Sequence, residues 1–160
     1  MHRAGAALTA SLLLLASQLM PAGPAGAQQT WAVLAKTGLG GTWARACGDG
    51  PADSNWIITY YADARGQARR RAVRGDGGPD LNSTIDSAQL LTPTTFAMRI
   101  RNDDPNWGNT NGTTYDTIIE ITPRGHRSLA STRIGDGKQF IKDGKFTANG
   151  NPVALFQRCK

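Results

Sequence analysis

The chain has 160 residues, and its 18 Lys and Arg outnumber its 12 Asp and Glu to give a formal charge of +6. Every acid but Glu120 is an aspartate, and 19 glycines accompany them, a density that belongs in turns and excludes a helix bundle as the main architecture. With one glutamate and two histidines, His2 and His126, there is little material for general acid–base catalysis, and the chain reads as a non-enzyme with no cofactor and no metal site.

Met1–Ala27 reads as a secretory signal peptide. Arg3 supplies the positive start, Ala7–Met20 the apolar stretch, and Ala25-Gly26-Ala27 a small-x-small cleavage site. Thr9, Ser11, Ser17 and Gln18 interrupt that stretch, so it is too short to span a bilayer, and no later segment is apolar enough to do so. The expectation is a single monomeric domain, periplasmic or secreted. A basic balance invites a nucleic-acid reading. Export argues against it and favours anionic envelope polymers, lipid headgroups or an acidic protein.

Residues 28–40 form a lead-in whose apolar piece, Trp31–Ala35, fits either a short helix plugging one end of a barrel or an extended arm presented to a partner. From Gly41 onward the chain alternates short β-forming runs with turn residues. The runs are Thr42–Cys47, Asn55–Ala62, Ala68–Arg74, Ser83–Leu91, Thr94–Arg101, Thr113–Thr122, His126–Ile134, Lys138–Lys142 and Val153–Cys159. On the first run Trp43, Arg45 and Cys47 share a face. On the fifth, Phe96, Met98 and Ile100 do. Asp136-Gly137, Asp143-Gly144 and Asn149-Gly150 are hairpin-type turns. Eight or nine evenly spaced strands without an intervening amphipathic helix predict an all-β antiparallel meander, closed or nearly closed into a small barrel over residues 41–160.

The two cysteines of an exported chain pair with each other, so Cys47 and Cys159 are expected to join the first strand to the last. Closing a loop of nearly the whole mature chain is worth about 4–5 kcal/mol in the chain-entropy account. A closed sheet makes those two strands neighbours.

Gly41-x-Trp43 on the first strand, a meander of hairpins and Arg158 on the last strand resemble the lipocalin or calycin superfamily. The resemblance implies that Trp43 closes one end of the barrel and Arg158 packs across it. The chain also resembles a group of small exported bacterial proteins of unassigned function, which share the Gly-x-Trp-x-x-x-Cys opening and the aromatic-x-x-Cys close seen here as Phe156–Cys159. A further resemblance is to bacterial metalloprotease inhibitors, which are disulfide-stapled Gly-x-Trp barrels. It implies that residues 28–37 could act as an inhibitory arm, although the disulfide of those inhibitors closes a short loop.

Two stretches carry candidate binding residues. Arg65, Arg69, Arg70, Arg71 and Arg74 crowd one hairpin, with Arg69 and Arg71 opposite Arg70 and Arg74. That arrangement predicts a hairpin unable to bury either face, either solvated or acting as an anion-binding ribbon. The loop 102–112 is rich in Asp and Asn but lacks the spacing of a calcium loop. Its Trp107 either marks a binding rim or folds back over the barrel mouth. Together these residues predict an exported binding module that takes a small ligand at the barrel mouth or an anionic envelope component. The alternative is a protein-interaction domain such as an inhibitor of an exported hydrolase.

Overall fold

The computed structural model describes residues 24–160. The apolar stretch of the expected signal peptide lies outside the described residues, and its cleavage site falls in the first turn of helix α1 (Pro24–Lys36). Ten strands follow: β1 Gly41–Ala44, β2 Ile57–Ala62, β3 Ala68–Val73, β4 Leu81–Leu90, β5 Thr95–Asn102, β6 Thr114–Thr122, β7 Gly125–Arg133, β8 Gln139–Lys142, β9 Lys145–Phe146 and β10 Gln157–Arg158. They form one antiparallel sheet in the order β10-β1-β2-β3-β4-β5-β6-β7-β8-β9, curled into a half-barrel.

First and last strands are neighbours: Trp43 faces Arg158 and Ala44 faces Gln157. The Cys47–Cys159 disulfide locks that seam, with Cα atoms 5.3 Å apart. A second seam draws the sheet toward closure. Phe156, just before β10, exchanges both backbone hydrogen bonds with His126 at the start of β7, each 2.9 Å long.

Three local expectations need correction. The first strand stops at Ala44, so Arg45 and Cys47 do not continue its face. The cause is Asn55, whose buried amide accepts from Ala46 N and donates to Ala46 O and Gly50 O, taking over backbone groups that a strand would use. There are ten strands where eight or nine are predicted, because Asp143-Gly144 turns the chain into the two-residue β9. Asp143 itself sits at φ +50°, a conformation that aspartate tolerates better than most residues. Finally, only Gln157 and Arg158 of the expected Val153–Cys159 run are in a strand.

A meander fixes which connections share an end. The α1–β1 junction and the turns before β3, β5 and β7 lie at one end. The loops before β2, β4, β6 and β8 lie at the other. Helix α1 covers the first end, where its Leu34 and the following Leu39 are completely buried. They share a core with Trp43, Tyr60, Ala68, Ile85, Phe96, Met98, Ile100 and Ile119. Each such side chain is worth roughly 1.5–3 kcal/mol of burial, so the helix belongs to the core. Trp43 donates through Nε1 to Leu39 O at 2.7 Å, and Arg158 lies over its ring with Cζ 5.7 Å from the centroid. The Arg158 guanidinium also donates to Gly40 O (2.9 Å) and Gly38 O (3.3 Å). Gly41, at φ +119°, lets this happen: a Cβ there would stand 3.3 Å from Arg158 Nη2.

Candidate functional site

The inward face of β3 reads Ala68, Arg70, Ala72. Both alanines are buried, and their small side chains leave room for the long arginine between them. Cross-strand register places Arg70 in a row with Tyr60 on β2 and Ser83 on β4, and Ser83 in turn opposite Asn102 on β5. A hydrogen-bond chain follows the row toward the second end of the half-barrel. Arg70 Nη2 donates to Ser83 Oγ (3.2 Å), which donates to Asn102 Oδ1 (3.2 Å).

The β5–β6 loop closes over this row. It contains a short 3-10 segment, Pro105–Thr110, capped by Asp104, whose carboxylate accepts from Asn106 N at 2.9 Å. Asn82 donates to the same carboxylate (2.6 Å) and holds it below its usual pKa range. Trp107 folds back from this segment, donating through Nε1 to Asn82 O at 2.5 Å. Its ring lies 5.6 Å from Arg70 Cζ, a cation–π contact. Asp103 is equally committed, accepting from Arg69 at 3.0 Å and from Thr84.

Below Trp107 is a cavity of about 250 Å³ lined by Arg70, Ile100, Asn102, Trp107, Thr110, Tyr115, Thr117 and Ser131. Arg70 is half-buried: Nε is sealed among protein atoms, while the end of the guanidinium lines the cavity. Burial pushes this guanidinium below its usual pKa range, partly opposed by the Tyr60 and Tyr115 hydroxyls. Burial also raises the pKa of Tyr60. Among the described residues no carboxylate pairs with Arg70, and its buried Nε has no hydrogen-bond partner. Native proteins rarely leave a buried charged donor in that state.

The arginines of this run are therefore not presented on one face. Arg69 pairs with Asp103, Arg71 with Asp80 and Arg74 with Asp76, all on the outer side or in the adjoining loop. Arg74 also lies over Trp56. Arg70 alone turns inward, against the expectation that neither face of this hairpin is buried. The structure brings Arg70 and Trp107 together and separates both from Arg69, Arg71 and Arg74. Tyr60, Ser83, Asn102, Tyr115, Thr117 and Ser131 are partners the sequence reading did not name. The period-2 phase that makes Ala68 and Ala72 core residues was the available signal, since it also turns Arg70 inward.

His126 offers no catalytic base. It is buried among Trp43 (4.7 Å between ring centroids), Tyr60 (5.7 Å) and Phe156 (5.6 Å, stacked). Neither ring nitrogen has a hydrogen-bond partner, and burial lowers its pKa to about 4. A scan against protein-family models and searches of curated proteins and of solved structures return no match to the chain.

Proposed function

We propose that the chain is an exported, non-enzymatic binding module that holds a small anionic ligand at the polar end of the half-barrel. The observation that carries this reading is Arg70, a half-buried guanidinium without a carboxylate partner, facing a cavity under an aromatic side chain. A half-buried cation of this kind loses part of its hydration, a cost that a counter-charge offsets, and a bound anion supplies one. Export is supported by the signal-like Met1–Ala27 and by the Cys47–Cys159 disulfide, and no described helix is long and apolar enough to cross a membrane. The inhibitor reading finds less support, because an arm reaching into a partner would have to withdraw Leu34, which is fully buried.

The test is native mass spectrometry of protein purified gently from the periplasm, compared with the same sample under denaturing conditions. The expected result is added mass that is lost on denaturation and absent from a folded Arg70→Met variant. Each protein showing only its own ligand-free sequence mass after exposure to periplasmic extract would sink the reading.

A further inference from the structure

We infer that the ligand of this site is a singly charged carboxylate on a compact, flat, largely apolar body. This rests on the small-anion reading above and narrows it by charge, shape and size. Arg70 is the only charged side chain among the residues lining the cavity. The nearest candidates for a second cation are spoken for: Arg69 pairs with Asp103 and Arg133 with Asp136. A phosphate dianion would bring a second charge to a pocket that offers it only neutral donors beside Arg70, and a partly desolvated charge without a partner is unfavourable. A monoanion matches the site's single charge.

Head-group shape points the same way. Of the guanidinium's nitrogens Nη2 donates to Ser83 and Nε is sealed off without a partner, so the donors left to a ligand are at the Nη1–Nη2 end. Neighbouring N–H groups of a guanidinium donate in parallel, the arrangement that the two oxygens of a planar carboxylate accept. Thr117 and Ser131 share one hydroxyl–hydroxyl hydrogen bond of 3.3 Å at the cavity wall, leaving acceptor and donor capacity for a ligand oxygen.

Asn102 and Thr110 are bonded to each other (3.4 Å), and the rest of the lining is apolar or aromatic: Ile100 and the rings of Trp107 and Tyr115. Flat walls favour a flat body, since an aromatic face gains most from a ring stacked or edge-packed against it. The volume of about 250 Å³ lies below the roughly 300–1,000 Å³ of sites for drug-sized ligands. A single-ring acid fits that space, and a long acyl chain does not.

The experiment is isothermal calorimetry at pH 7.5 on the disulfide-intact mature protein, stripped of ligand by unfolding and refolding. The probes are benzoate, its neutral analogue benzamide, and inorganic phosphate. Benzoate is expected to bind at least about tenfold more tightly than either of the others, the equivalent of one charge-assisted hydrogen bond. Arg70→Met is expected to erase the preference for benzoate over benzamide, and Trp107→Leu to weaken benzoate a few-fold. Phosphate binding more tightly than benzoate, in an Arg70-dependent manner, overturns the carboxylate inference and leaves the small-anion reading standing. Benzoate binding that survives Arg70→Met, or no Arg70-dependent binding of any anion, overturns both.

Discussion

Replacing Arg70 with methionine is expected to make the ligand-free protein more stable. Methionine keeps an unbranched stem of similar reach and removes the charge. Packing seals Nε and strips much of the guanidinium's hydration shell, a penalty of several kcal/mol even after relaxation. Its Ser83 hydrogen bond returns about 1.5–3 kcal/mol and its contact with Trp107 about 1–2 kcal/mol. What is left is a net cost of about 1–2 kcal/mol, which the substitution relieves. Ser83 is not stranded by it, because its hydroxyl already donates to Asn102. At about 3–4 °C per kcal/mol for a domain of this size, the midpoint of thermal unfolding should rise by about 3–8 °C. The assay is urea unfolding of refolded, ligand-free protein at pH 7.5, since any retained ligand would stabilise the wild type by mass action. Arg71→Met is the control: that arginine forms an exposed pair with Asp80, and its loss should cost less than about 1 kcal/mol. If Arg70→Met instead destabilises by more than about 1 kcal/mol, Arg70 is a structural element and the cavity is only its access to water.

Acid should weaken the fold through His126 in a defined window. Its folded pKa of about 4 lies below the ordinary 6.5, so the unfolded chain takes the proton first; the stability is complete above pH 6.5 and about 3 kcal/mol is lost as pH falls to 4. Urea midpoints measured across that window should slope for the wild type and stay flat for His126→Phe, because lowered carboxylates such as Asp136, at about 2, titrate beneath it. A wild-type slope that persists in the variant assigns the effect elsewhere. Gly125→Ala should cost about 2 kcal/mol or more, since at φ +148° its new Cβ would press on the Phe156 carbonyl oxygen at the β7 seam. Hydrogen exchange at the His126 and Phe156 amides reports this directly, and unchanged protection would show that the seam can give.

The strand succession was legible because its signals are local. Alternation in Thr95–Asn102 and the Asp-Gly turns each act over a few residues, and the cysteine pair left a single partner choice. What was not legible depended on which way a strand faces once neighbours are in place. Four arginines between Ala68 and Arg74 look alike in sequence, and only the phase set by buried Ala68 and Ala72 separates Arg70 from the rest. The aspartates that neutralise the others lie at 76, 80 and 103, and the last of these reaches Arg69 across 34 residues. Asn55 ends β1 by a side-chain hydrogen-bond set that no propensity scale contains.

The two ends of the half-barrel are built on opposite terms, and that contrast locates function. At the first end Leu34, Leu39, Trp43, Phe96 and Ile119 form a dry core under α1, and Arg158 spends its donors on Gly38 and Gly40. The disulfide pins the seam beside it. At the other end the same inward-facing rows continue as Arg70, Ser83, Asn102, Thr117 and Ser131, polar groups facing a cavity where apolar ones would pack more stably. Two arginines of one chain thus meet an aromatic ring in the same geometry with different balances. Arg158 over Trp43 has backbone acceptors and remains accessible to water, whereas Arg70 under Trp107 is half-buried and short of acceptors. The first arrangement is complete without a partner. Under the proposed function an anion completes the second, so stabilising it by substitution should remove the binding.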